Sequence, residues 1–541
     1  MSLQPGSSSA SEKRKRSYHS RTDPYKDTLL SKRRESFAVY SKEELLEDIP
    51  VMKQRLWSES AAEQFEGTIH FRKLLANGHP PIDEVIKADV VPRIVEFLES
   101  DGLHQLQFEA LWVLTNIASG TSQHKRAVVD HGAVPKLVKL LSPTNNYDDV
   151  REQAVWVLGN IAFDSPCYSD LILNEHALLP LLSLLNPPSP ILSMLRITTW
   201  TLSNLVRGKP PVTLEQVKTL MPVLKTLIHN SDEEVVSDAC WALFYISDVS
   251  SDTTKTIVEA EFCVKLVDLL TNSSLTVIVP VLRTLGNIVA GDDAQTQEPN
   301  YLYVLCHIIE NIEQIYKETC WTISNITAGN GAQIQAIIDA HIIPVLVAIV
   351  IYRKDCEIDL KKEVAWAISN ATRGSHDQIR YLVDQRCIQA LCDLLAYPNS
   401  EIVSNCLEGL ENILVVGEVD KDIDRGNSFA ERVDKYLVDQ RCIQALCDLL
   451  AYPNSEIVSN CLEGLENILV VGEVDKDIDR GNSFAERVDK CDGWGMIENL
   501  KSHDKKEIKE RAARIFKTFW AEDDLSDSSQ IFFEFLRMSI S

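Results

Sequence analysis

The residues best suited to chemistry in this 541-residue chain are tryptophans and asparagines set four apart. The pairs are Trp112/Asn116, Trp156/Asn160, Trp200/Asn204, Trp321/Asn325 and Trp366/Asn370. On a helix such pairs share one face. A primary amide can donate to a peptide C=O while accepting from a peptide N–H. Neighbouring indoles form slots for the alkyl stems of Lys or Arg and attract the charged ends through their ring faces. One Trp at helical spacing is ordinarily core. A core has no need of Asn at a fixed offset from each Trp, and five repetitions read as a device for holding an extended basic peptide.

Carboxylates accompany the ladder. Asp164 follows Asn160 by four, Glu234 and Asp238 precede Trp241 by seven and three, and Glu318 and Glu363 each precede their Trp by three. Asp293 lies beyond the segment bearing Asn287. Singly these are surface charges of small energetic weight. Jointly they speed association with cations and make it salt-sensitive. The formal net charge is −25, and residues 1–42 carry +6 of their own, leaving −31 on the remainder. An acidic body argues against nucleic acid as the main ligand, since phosphates require a basic surface, and against a scaffold for acidic partners. There is no Gly-rich phosphate loop, paired-His motif or zinc-type Cys spacing. The expectation is a non-enzyme with no catalytic residues, metal or cofactor. The 13 Cys are an odd number and scattered, the closest pairs being Cys387/Cys392 and Cys442/Cys447 within apolar runs. They read as reduced core thiols. No apolar run is long enough to span a membrane, so no membrane insertion is expected. The N-terminus begins polar and turns basic, without the apolar stretch of a signal peptide.

The elements that must carry the ladder repeat with it. The Trp-to-Trp spacings are 44, 44, 121 and 45, and the long gap holds two variant units, Trp241/Tyr245 and Arg283/Asn287. A later unit has Glu408/Asn412. Each unit reads as a short apolar helix such as 134–141, a loop, then a second helix (151–162) bearing the Trp and Asn. Gly120, Gly329 and Gly374 mark helix ends. Helical units of 40–47 residues are the armadillo/HEAT signature, and stacked units bury a continuous core beneath one concave face. The expected fold is all-α, a right-handed armadillo-repeat superhelix (α-solenoid) over residues 45–520, with a flexible basic arm at 1–44 and a tail at 521–541.

Over these repeats the chain resembles the importin alpha (karyopherin alpha) family. The resemblance rests on 112–120 (WVLTNIASG), 156–162 (WVLGNIA), 200–205 (WTLSNL), 285–289 (LGNIV), 317–329 (KETCWTISNITAG) and 406–414 (CLEGLENIL). It implies a nuclear import adaptor that binds mono- and bipartite nuclear localisation signals and links cargo to importin beta, shuttling between cytoplasm and nucleus. The alternative is a generic armadillo scaffold for other peptides. A major site would use Trp112, Asn116, Gly120, Trp156, Asn160, Asp164, Trp200, Asn204, Asp238 and Trp241, with Glu234 beside it. Asp164 would meet the key cargo Lys. A minor site would use Arg283, Asn287, Glu318, Trp321, Asn325, Glu363, Trp366 and Asn370, with Asp293 beside it. Arg283 interrupts the Trp array and would pair with groove carboxylates or peptide carbonyls. Where the family usually has a Thr that helps hold the key Lys, this chain has Lys125, a like charge that weakens the major site. Phe244 and Val249 replace small residues.

The arm carries basic clusters, Lys13, Arg14, Lys15, Arg16 and Lys32, Arg33, Arg34, with Lys26 between them. By resemblance this is the segment that binds importin beta and, when free, lies in the adaptor's own groove. It is shorter and less basic than usual. An export receptor of the importin-beta family would contact the C-terminal repeats. There, residues 381–435 recur identically as 436–490. Identity at every position marks either a recent duplication or an error in the gene model. Taken as it stands, it predicts eleven repeats in place of ten. The polar stretch 416–434 reads as a mobile loop in both copies. The tail ends in an apolar run, Ile531-Phe-Phe-Glu-Phe-Leu536.

Overall fold

The computed structural model describes residues 46–520, apart from 77–79, 143–146, 164–165, 186–190, 273, 290–304, 306–314, 354, 423–432, 434–441 and 475–481. The secondary structure of the described residues is helical, and no strand occurs among them. The basic arm, the tail and both carboxylates Asp164 and Asp293 lie outside the described residues.

The helices divide into two units, one running to Ile288 and one beginning at Val289. In the first, long helices α1 (Ala61–Leu75), α2 (His104–Ala118), α3 (Asp148–Ala162), α4 (Leu192–Val206) and α5 (Glu233–Ser247) pack successively, and α6 (Leu275–Val289) follows. In the second, α7 (Tyr316–Thr327), α8 (Ile358–Ala371), α9 (Ser400–Asp422), α10 (Ser455–Val474) and α11 (Lys506–Trp520) pack in the same way. Within each unit this is an α-solenoid, in which a helix finds its core against its sequence neighbours. Leu111, Leu114 and Ile117 on α2, and Val155, Leu158 and Ile161 on α3, are completely buried at the three- and four-residue spacing of a helical apolar face.

Most of the described repeats have three helices, not the two read from the sequence; the repeat with Leu214–Leu227 between its long helices keeps two. Between α2 and α3, for example, stand Ser122–Asp130 and Ala133–Leu140. The first of these is launched by a capping box, Thr121 with His124; Thr213 with Gln216, Asn330 with Gln333 and Ser375 with Gln378 do the same elsewhere. The corner between the first two helices is a residue in the left-handed region. Gly132 takes this place, and so do His176, Glu261, His341, Arg386 and Asp492. A one-residue corner leaves no polar loop in the sequence, so the two short helices read as one.

The duplicated segment folds twice. Cys387–Leu395 and Cys442–Leu450 are the same helix, and α9 and α10 begin at equivalent serines. The expected loop from Val416 begins as helix instead: α9 continues to Asp422 and α10 to Val474. Val416 is buried, and Gly417 in a helix interior costs only about 1 kcal/mol against Ala. The rest of the expected loop, from 423 to 432, lies outside the described residues.

Candidate peptide-binding ladder

The ladder residues lie on successive long helices, each Trp one turn before its Asn. Trp112, Trp200, Trp241 and Trp366 are half-buried. Trp156 and Trp321 are only 7% and 1% exposed. These two indoles belong to the core.

The asparagines are buried and turned toward the preceding repeat. Asn160 Nδ2 donates to the Thr115 carbonyl at 3.0 Å, and Asn370 Nδ2 to the Ser324 carbonyl at 3.0 Å. Asn287 Nδ2 donates to Ser247 Oγ at 2.9 Å, and Asn412 Nδ2 to Thr372 Oγ1 at 3.0 Å. Neighbouring side chains reinforce the stitch: Gln153 Nε2 reaches Thr115 Oγ1 at 2.6 Å and Thr201 Oγ1 reaches the Val155 carbonyl at 3.2 Å. These amides therefore clamp one repeat to the next. An amide has more bonding capacity than the stitch uses. Asn160 and Asn287 each keep a buried Oδ1 without a partner, and Asn116 and Asn204 each keep a buried Nδ2 without one. Buried polar atoms of this kind are rare, and each calls for an explanation.

Glycines hold the geometry. A Cβ on Gly159 would lie 2.3 Å from Cζ3 of Trp200 and 2.5 Å from Thr201 Oγ1, so the gap between α3 and α4 admits the indole only because residue 159 has no side chain. A Cβ on Gly120 would meet His124 Nδ1 at 2.1 Å, and one on Gly374 would meet Gln378 Oε1 at 2.4 Å. Gly120 was assigned to the site from the resemblance. Its visible role is to admit the capping side chain of the next helix.

The carboxylates are unevenly placed. Glu318 and Glu363 are buried on α7 and α8, next to the Trp321 and Trp366 turns. Glu234 pairs with Arg196 at 3.3 Å, and the same guanidinium binds Asp232 at 2.6 Å. The hydrogen bond from Arg196 holds the Asp232 carboxyl below its usual range. Asp238 is half-buried on α5. Arg283 stands with its guanidinium 5.5 Å from the Trp241 ring centre and 5.7 Å from that of Phe244. Arg283 and Asn287 belong to the first unit, whereas Glu318, Trp321, Asn325, Glu363, Trp366 and Asn370 belong to the second.

Other cations occupy ring faces in the first unit, which the sequence did not disclose. Arg72 lies 4.8 Å from the Trp112 ring centre, and Arg207 lies between Phe163 (5.7 Å) and Tyr245 (5.8 Å). Lys125 is 2% exposed; its ammonium donates to the Phe163 carbonyl and lies 5.4 Å from the Phe163 ring centre. Phe163 itself stacks on Trp200 at 6.4 Å.

In the second unit the ladder continues past the last Trp as Glu408/Asn412 and, in the copy, Glu463/Asn467. Between α9 and α10 lies a cleft of about 210 Å³, lined by Glu408, Glu411, Glu463, Asn460, Asn467 and the apolar Leu407, Leu414 and Ile468 among others. Loss of water, and then the neighbouring Glu463 and Glu408, push the Glu411 carboxyl up. No cluster of three or more metal-ligating side chains occurs among the described residues.

The Armadillo/beta-catenin-like repeat family matches residues 78–119, 121–163, 210–248, 375–415 and 432–470, and the Atypical Arm repeat family matches 482–532. The crystal structure of an engineered protein superposes with a TM-score of 0.56 at 23% identity, covering 88% of this chain and 99% of that one, which shows the solenoid fold. Importin subunit alpha-4 of Arabidopsis thaliana is 45% identical over 529 residues, covering 93% of this chain and 87% of its own length. Importin subunit alpha-1a of Oryza sativa subsp. japonica is 46% identical over 515 residues, covering 92% and 86%. Importin subunit alpha-B of Dictyostelium discoideum is 43% identical over 488 residues, covering 90% and 84%. Relatives this similar over so much of both chains leave one assignment: the chain belongs to the importin alpha family of armadillo-repeat proteins.

Proposed function

We propose that this chain is a nuclear import adaptor whose Trp/Asn ladder takes the extended, Lys/Arg-rich localisation signal of a cargo protein. Family membership supports the adaptor role. The observation that supports the ladder as its site is the set of half-buried indoles beside four buried amides, those of Asn116, Asn160, Asn204 and Asn287, that each keep one unsatisfied atom. The Nδ2 atoms of Asn116 and Asn204 suit a peptide C=O, and the Oδ1 atoms of Asn160 and Asn287 suit a peptide N–H. Satisfying such atoms on binding is worth more than an exposed hydrogen bond, because they are already desolvated.

In this reading the first unit supplies the major run, with Trp112, Trp200, Trp241 and Asp238, and the second supplies the minor run around Trp366 and Glu363. Asp164 would add a carboxylate to the former and Asp293 to the latter. Importin beta would bind the basic arm, removing a ligand that competes with cargo at high effective concentration. A receptor of the importin-beta family would return the chain from the nucleus through its C-terminal repeats.

The test is fluorescence anisotropy of a labelled basic localisation peptide on the full chain, on a chain beginning at Pro50, and on Trp200→Ala/Asn204→Ala. Expected are salt-sensitive binding, tighter binding without the arm, and a loss of at least about tenfold in the double variant. Absence of binding at low salt by a folded chain would overturn the groove. Equal affinity with and without residues 1–49 would remove the self-binding arm.

A further inference from the structure

The ladder's first unit contains an ammonium group of its own. Lys125 is one of the most fully buried large side chains in the protein. It lies on the helix Ser122–Asp130, yet it reaches the C-terminal end of α3 and donates to the carbonyl of Phe163, three residues past Asn160. A helix end leaves its last carbonyls without intrahelical partners and carries partial negative charge. It is therefore a natural seat for a cation, and it lies one turn past the ladder residue Asn160.

The surroundings are built around the resident group. The Phe163 ring lies 5.4 Å from the Lys125 ammonium on one approach and 5.7 Å from the Arg207 guanidinium on another. The ring stacks on Trp200, so the wall of the slot beyond Asn160 is itself held by the chain's own cations. Asn160, one turn before Phe163, is 0% exposed.

We propose that Lys125 is a specificity-determining residue, an internal substitute for a ligand lysine, which makes the first unit accept a neutral side chain and reject Lys or Arg beside the Phe163 carbonyl. This rests on the reading of the ladder as a groove for basic peptides. A second ammonium at that carbonyl would face a like charge in desolvated surroundings. The chain therefore binds runs of consecutive basic residues less tightly than its fold allows.

The experiment compares labelled hexalysine on the full chain, on Lys125→Thr and on Lys125→Met, the last of which keeps the stem's volume among its apolar neighbours. The proposal expects both variants to bind at least about tenfold tighter than the unsubstituted chain, the weight of one charge-assisted hydrogen bond released to the ligand. Equal affinities across the three would overturn it and leave the peptide groove standing. No binding by any of them, with helical circular dichroism retained, would take the groove down as well. A second measurement needs no variant. Amine acetylation of the unsubstituted chain, mapped by mass spectrometry, should leave Lys125 unmodified with and without saturating hexalysine. Labelling of Lys125 that appears only when peptide is added would mean that the ligand displaces it, and would also overturn the proposal.

Discussion

Replacing Gly159 by Ala tests whether the Trp200 slot is set by backbone proximity. A Cβ at this position would lie 2.3 Å from Cζ3 and 2.8 Å from Cε3 of Trp200, and 2.5 Å from Thr201 Oγ1. The indole must move, because α3 and α4 are packed along their length. Ala for Gly in a helix interior contributes about 0.8–1.0 kcal/mol of stability. Overpacking a buried contact costs about 1–3 kcal/mol. Displacing Trp200 from its 6.4 Å stack on Phe163 costs a further amount of about 0.5–1.5 kcal/mol. The net expectation is a destabilisation of about 1–3 kcal/mol, with weakened peptide binding because the slot wall has turned. Urea unfolding followed by circular dichroism, together with peptide anisotropy, would measure both. The control is Gly331→Ala, where the nearest atom to a new Cβ is Gln378 Oε1 at 3.9 Å and nothing has to shift. If Gly159→Ala is as stable as the parent and binds peptide equally, the close approach of α3 and α4 does not position Trp200 and the reasoning fails.

Other consequences are open to measurement. Arg386 begins its helix at φ 70; Arg386→Gly relieves roughly 1–2 kcal/mol of left-handed strain against a smaller entropic loss, so it should stabilise by about 0.5–1 kcal/mol in urea titrations. Glu411 has a raised folded pKa, so its ionised form is the unfavourable one, and the penalty exists above that value and vanishes in acid. Glu411→Gln should therefore raise the melting temperature at pH 7 and not near pH 4. Asp232 has the opposite sign: its lowered folded pKa, due first to the Arg196 hydrogen bond, gives stability that is present above the unfolded value and lost as pH falls through the folded one. The deficit of Asp232→Asn should thus close in acid. Burial pushes the Cys447 and Cys461 thiols up to about 12; iodoacetamide at pH 8 should modify exposed Cys167 long before either, as read by peptide mapping.

The period and the ladder were legible because they are local: a Trp and an Asn on one helix, repeated every 41–45 residues where the units are regular. What escaped depends on residues far apart. Nothing around Asn160 says that its amide meets Thr115, forty-five positions earlier, because that partner exists only after two repeats stack. Lys125 was recognisable as an odd charge near the ladder, but its burial against Phe163 requires the next repeat to be in place. Where a repeat has a third helix, it was hidden by a corner made from a single left-handed residue. At His341 and Arg386 that residue is not the glycine that would have signalled it. The capping boxes at Thr121 and Ser375 were the available local clue.

The duplicated segment shows how far a ladder position is defined by its neighbour and not by itself. Asn412 and Asn467 are the same residue in two copies, as are Glu408 and Glu463. The first copy stacks on α8, where Thr372 Oγ1 accepts from Asn412 at 3.0 Å and Arg373 Nε donates to Glu408 at 3.0 Å. The second copy stacks on the first. Its preceding helix is α9, and the positions corresponding to Thr372 and Arg373 are there Leu414 and Val415. Neither side chain can accept from an amide or pair with a carboxylate. Glu463 turns forward instead, to Arg511 at 3.0 Å. The space that polar partners close between α8 and α9 stays open between α9 and α10 as the cleft bounded by Leu414, Glu411, Glu463 and Asn467. Copying a repeat preserves its core, since Cys387–Leu395 and Cys442–Leu450 bury the same apolar face. It does not preserve the polar seam, because half of every seam belongs to the unit before.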